Sequence, residues 1–165
     1  MATTTGEQLA ETIRRRIEDL LKACEGVDQS TASRAPEGRW SPAEILSHII
    51  GPERPGLMSD LRSFLDQDVP TIDLEAENPY FSEERARMTF DQLRSDVEKL
   101  YRDVADLAAG LSPEQLDRKA HVPALKETDL GEYPTLESMI GGLLDYHLQF
   151  HADHMREVLE ALRTR

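Results

Sequence analysis

Tyr146-His147-Leu148-Gln149-Phe150-His151-Ala152-Asp153-His154-Met155 is the stretch whose reading decides the fold. At about 100° per residue, His151 lies about 40° from His147 on a helical wheel, and His154 about 20° to the other side. The three imidazoles therefore share one face, provided that no break falls inside the segment. Ile140, Leu143 and Leu144 before them, and Met155, Val158 and Leu162 after them, project onto that face too. A helix from about Thr135 to Leu162 with this stripe must bury it against other helices.

Working outward, the rest of the chain supplies them. Leu9, Ile13, Ile17, Leu20, Leu21 and Cys24 recur at three- and four-residue steps, so a first helix is expected from about Gly6 to Glu25, stopped by Gly26. Arg14-Arg15-Arg16 within it reads as a solvated face. Ser41-Pro42-Ala43-Glu44 is a complete helix start, with Ser41 as cap, Pro42 at the first position and Glu44 closing a capping box. Ile45, Leu46, Ile49 and Ile50 follow, and Gly51-Pro52 interrupts this second helix. Helix resumes from about Leu57 to Asp66. A third principal helix starts near Thr89, with Gln92 completing another box, and ends at Gly110; Ser112-Pro113-Glu114-Gln115 opens a short extra one. Strand alternation is nearly absent.

Two connections are long: Gln67 to Met88, and Ala120 to Pro134. Long connections in a compact domain are often binding or lid elements. The expectation is an all-α protein, an antiparallel four-helix bundle with two long inter-helix connections, forming one domain over residues 1–165.

Charge and composition remove several functions. Asp and Glu number 32 against 19 Lys and Arg, a formal net charge of −13. A nucleic-acid partner needs a basic face, and so does an anionic membrane surface, so neither is expected. Apolar stretches fall far short of the roughly 20 residues of a membrane span. Met1 to Gly6 shows no basic patch followed by an apolar run, so no signal peptide is read there. Cys24 is the one cysteine and cannot form an intrachain disulfide. A cytoplasmic protein acting on a small molecule is the expectation.

Histidines within an apolar stripe raise a chemical question. A buried imidazole costs on the order of 1–3 kcal/mol for each hydrogen bond it fails to make. A divalent metal solves this by taking one nitrogen from each of several rings, and the His147/His151 spacing places two rings one turn apart. His48, in the second helix beside the Gly51-Pro52 break, is the natural third ligand from across the bundle; alternatively it is a hydrogen-bonded core histidine. His154 either bonds Asp153, sits at the wet end of the bundle or replaces one of the pair. His121, in a loop, reads as a surface residue.

At these residues the sequence resembles the DinB/YfiT-like superfamily of metal-dependent enzymes. The segment Trp40-Ser41-Pro42-Ala43-Glu44-Ile45-Leu46-Ser47-His48 is like that family's Trp-Ser/Thr-x-x-Glu-x-Leu-x-His motif, and the histidine-rich last helix matches as well. The resemblance covers essentially the whole chain. It implies a DinB-like four-helix bundle with a divalent metal, nickel or zinc, held by His48, His147 and His151, with His154 as the alternative ligand. It also implies a metal-dependent hydrolase or a transferase using a low-molecular-weight thiol as co-substrate, and a homodimer. The chain departs from the family pattern in having three histidines where two are expected.

Cys24 lies on the apolar stripe of the first helix, where burial raises a thiol's pKa, so a nucleophile would come from outside. Tyr80, Arg85, Arg87 and Glu53 are candidates to line the site, or else ordinary solvated loop residues. The alternative to an enzyme is a non-catalytic, stress-associated bundle that binds metal or a small ligand.

Overall fold

Local capping chemistry sets where the helices begin. The computed structural model describes residues 4–163; residues 1–3, part of the segment read as lacking a signal peptide, and 164–165 lie outside the described residues. Helix α1 (Gly6–Ala23) starts at a Thr5/Gln8 capping box. A short α2 (Gln29–Ala32) follows, and α3 (Pro42–Ile50) starts at the expected Ser41/Glu44 box. Helix α4 (Leu57–Asp66) resumes after the break, and α5 (Glu83–Arg87) lies inside the first long connection. Helix α6 (Phe90–Ala109) begins at the Thr89/Gln92 box, and α7 (Pro113–Leu116) at a Ser112/Gln115 box. Each box satisfies backbone donors that the first helical turn leaves free. The break after α3 needs Gly51, whose φ of 82° is left-handed.

The last helix, α8, is not uniform. It opens as a short α segment (Leu136–Ser138), passes through a π segment (Met139–Leu144) and continues as an α-helix (Asp145–Arg163). A single α-wheel drawn through 135–162 therefore misplaces its first turns. Ile140 and Leu144 are still buried, but Leu143 is only half-buried. The π segment holds Gly141 and Gly142, which meet Leu9 and Leu130 so closely that a β-carbon would stand 2.8 Å and 3.0 Å from their methyls.

Helices α1, α3, α6 and α8 form a four-helix bundle. Helix α1 packs on α6 and α8, and α3 packs on the same two. Successive bundle helices α1 and α3 are thus diagonal, as are α6 and α8. Arg14 meets Asp106 and Arg94 meets Leu21, so α1 and α6 run antiparallel. His48 meets His147 and Arg39 meets Glu157, so α3 and α8 do too. Arg16 meets Asp145 and Asp19 meets Arg156, so α1 and α8 run side by side in the same direction. These relations make α3 and α6 parallel as well. Parallel neighbours cannot be joined by a tight turn, which is why the connection from α3 to α6 is long; the second long connection instead crosses the bundle diagonally from α6 to α8.

The core is apolar and continuous. Leu9, Ile13, Ile17 and Leu20 of α1 face Leu93, Val97, Tyr101 and Val104 of α6 and Leu148, Met155, Val158 and Leu162 of α8. Burying each large side chain is worth about 1.5–3 kcal/mol. The two long connections tie to each other: Ile72 N–H donates to the His121 carbonyl and His121 N–H to the Pro70 carbonyl, both at 2.8 Å. Among the described residues, no helix is long and apolar enough to cross a membrane.

Candidate metal centre

His48 sits in the last turn of α3, and the antiparallel packing of α3 on α8 sets it opposite His147 and His151. One ring nitrogen from each of the three lies within 4.8 Å of the others. Nε2 of His48 is 2.9 Å from Nε2 of His147. The rings meet edge to face, with centroids 4.9 Å apart for His48/His147, 4.7 Å for His48/His151 and 4.5 Å for His147/His151.

His48 is 6% exposed and His151 5%, whereas His147 and His154 are half-buried. The three histidines of α8 thus share the side turned towards α3, but of them only His151 lies within the fully buried stripe. His154 stands next to it, Nδ1 to Nδ1 at 3.2 Å.

The hydrogen bonding orders the protons. Nδ1 of His48 lies 2.7 Å from the Asn78 carbonyl oxygen, which can only accept, so Nδ1 carries the hydrogen. Its Nε2 then presents a lone pair, to which His147 Nε2–H donates in the absence of an ion. Burial holds the cluster uncharged. It lowers the pKa of His48 despite the opposing Asn78 bond. It brings His147 down to about 4, with the neighbouring His48 adding to the effect. His151 is lowered further, by burial first and then by repulsion from the other imidazoles. Uncharged imidazoles whose donor atoms nearly converge are a suitable donor set for a divalent ion.

Aromatic rings surround the cluster. Trp40 lies 4.9 Å from the His48 ring centroid and stacks towards His151 at 6.5 Å. Tyr80 stacks over His48 at 6.4 Å and 9°. Phe150, half exposed, sets its edge against His151 at 5.0 Å.

The other sequence candidates separate. Tyr80 is at the cluster. Arg85 is buried behind it, hydrogen-bonded to Ser47 and Tyr80, and Glu53 lies 3.6 Å from its Nε. Arg87 points away and pairs with Glu83 across one exposed turn. His121 is remote from the cluster, half-buried, bonded to Glu132 at 2.8 Å and stacked on Tyr133. Cys24 is buried and its thiol is pushed up to about 12 by desolvation. Asn78 and Ser47 were not singled out from sequence. Asn78-Pro79-Tyr80 does carry a turn signal, and the Asn78 side chain accepts from Tyr80 N–H at 2.8 Å, but such a signal does not say where a main-chain carbonyl points.

The family model of the DinB superfamily matches residues 12–158. The chain belongs to the DinB superfamily. No curated protein matches it by sequence. Among solved structures, this DinB-superfamily chain is similar to YfiT from Bacillus subtilis, with a TM-score of 0.79 and 17% identity over 98% of this chain and 90% of that one. YfiT is described as "a probable metal-dependent hydrolase with an unusual four-helix bundle topology". The likeness shows the shared fold.

Proposed function

We propose that this DinB-superfamily chain is a metal-dependent enzyme in which His48, His147 and His151 hold a divalent ion, nickel or zinc. The reaction proposed is hydrolysis of, or transfer of a low-molecular-weight thiol to, a small electrophilic molecule. One observation carries the reading: the Asn78 carbonyl keeps the proton of His48 on Nδ1, leaving the Nε2 lone pair, 2.9 Å from Nε2 of His147, to meet an ion within the three-histidine cluster. The description of YfiT points the same way. Bound by uncharged ligands alone, a divalent ion keeps its full charge and lowers the pKa of a bound water towards about 7, or holds a thiolate.

The chain's own residues do the rest. Asn78 fixes the His48 tautomer. Trp40 and Tyr80 flank that ring and keep bulk water from its faces. His154 contacts His151 and supports its orientation. Cys24 cannot serve as nucleophile at neutral pH, so the attacking group is water or an external thiol.

A second reading is a bundle that binds metal without turnover. It is favoured by a cleft of about 520 Å³ that is lined by Met58, Arg62, Asp66 and Asp103 among others and by none of the histidines.

Elemental analysis of untagged protein tests the metal first. Near-stoichiometric nickel or zinc is expected, lost in His48→Ala and in His151→Ala. Protein that takes up neither ion under any loading condition would sink both readings. Loaded protein is then screened against electrophiles with and without thiols; metal without turnover leaves the second reading standing.

A further inference from the structure

A buried arginine is unaccounted for by the ligand set. Arg85, from α5, is 5% exposed. Its Nη1 lies 3.0 Å from the Tyr80 carbonyl oxygen and 3.2 Å from both the carbonyl and hydroxyl oxygens of Ser47. Ser47 Oγ donates to the same Tyr80 carbonyl at 3.0 Å. One main-chain oxygen of the long loop therefore receives both of these donors, besides the Ser82 N–H at 3.0 Å.

That oxygen belongs to a strained residue. Tyr80 has a φ of 50°, in the left-handed region that a non-glycine residue occupies at a cost of about 1–2 kcal/mol. Such a conformation persists where its surroundings over-determine it. Here the surroundings are Arg85, Ser47 and the Ser82 N–H on the carbonyl and the Asn78 side chain on the amide. Pinning Tyr80 pins the turn, and two residues upstream the turn carries the Asn78 carbonyl bonded to Nδ1 of His48. Ser47 is the chain neighbour of His48. Arg85 thus ties together both parties to that hydrogen bond: the loop that supplies the acceptor and the helix end that supplies the ring.

We propose that Arg85 is the positioning residue of the His48 imidazole, holding the Tyr80 turn so that the Asn78 carbonyl keeps His48 in its Nδ1–H form. The consequence for metal binding rests on the ligand reading above; the consequence for the tautomer does not. Outer partners that orient a ligating histidine are worth 10- to 100-fold in metal affinity when removed. Arg85 acts one step further out, so about a tenfold loss is expected.

The test uses full-length protein, Arg85→Met and, because removing a buried guanidinium can prevent folding, Ser47→Ala. Nitrogen-15 shifts of the His48 ring are recorded on metal-free protein at pH 8, with assignment against His48→Gln, and zinc affinity is measured by chelator competition. The wild-type ring should show a protonated Nδ1 and an unprotonated Nε2. The folded variants should shift a measurable fraction to the Nε2–H form, and zinc affinity should fall about tenfold for Arg85→Met and less for Ser47→Ala. Folded variants that keep the wild-type ring shifts, with affinity within twofold, overturn the proposal. If the wild type binds neither zinc nor nickel, the ligand reading fails, and the ring shifts alone still decide the role of Arg85.

Discussion

The Asn78 carbonyl oxygen and Nδ1 of His48 are 2.7 Å apart, and this one bond determines which nitrogen of His48 can meet an ion. It joins residues 30 positions apart, one in a long connection and one at the end of α3. The site is therefore made by the loop as much as by the helices, and its properties should respond to both.

Metal removal should lower thermal stability. A ligand that binds only the folded state stabilises it by about 2.7 kcal/mol at a free concentration 100 times its Kd. Scanning calorimetry of zinc- or nickel-loaded protein with and without chelator should show the melting temperature drop. In His48→Ala the two curves should coincide. Coincident curves for loaded wild type would remove the ion from the folded core.

Acid should destabilise the metal-free protein in a defined window. His147 and His151 are uncharged in the folded state, with pKa values depressed below the ordinary 6.5 and that of His147 at about 4. Between about 4 and 6.5 the unfolded chain binds more protons, so stability falls as pH falls through this range and is insensitive to these groups above it. Urea midpoints from pH 8 to 4.5 should trace that slope, and His151→Leu should flatten it. A variant slope equal to the wild type's would contradict the buried, uncharged state of this ring.

Gly6→Ala should destabilise, although alanine ordinarily favours a helix by about 1 kcal/mol over glycine. A β-carbon at residue 6 would stand 2.1 Å from the Ala108 carbonyl oxygen and 3.1 Å from that of Leu111, both of them backbone atoms. Relieving such a contact means parting the α1 start from the α6 end, a loss of about 1–3 kcal/mol. Chemical denaturation reads it directly; an unchanged or raised midpoint would mean that the two helix ends are not in close contact.

Cys24 should be inert. With its thiol pushed up to about 12 and buried, it should resist a disulfide reagent in native protein at pH 8 and react on unfolding. Cys24→Ala should retain metal binding and any thiol-dependent activity of the wild type. Rapid native labelling would place this side chain nearer the surface.

Much of the helix layout was legible because its signals are local. Thr89 with Gln92, and Ser41-Pro42 with Glu44, fix helix starts through bonds spanning three residues. Gly51 and Gly110 mark ends in the same way. The short helices α2 and α5 escaped notice because four or five residues give too little periodicity to read. The π segment escaped because its cause is tertiary: Gly141 and Gly142 admit Leu9 and Leu130, from α1 and the second long connection.

The sequence by itself determined an acidic, all-helical chain and put His147, His151 and His154 on one side of its last helix, since 3.6 residues per turn is a property of the backbone alone. It also singled out His48, from its place in a helix that must pack its apolar face. Only the tertiary structure decided the neighbours. Helix order and direction, with α1 alongside α8 and α3 facing it, depend on how long connections cross the bundle. The bonds of Asn78 to His48 and of Arg85 to Ser47 and Tyr80 depend on where a loop comes to rest. Such contacts link residues far apart in the chain, and no local periodicity encodes them.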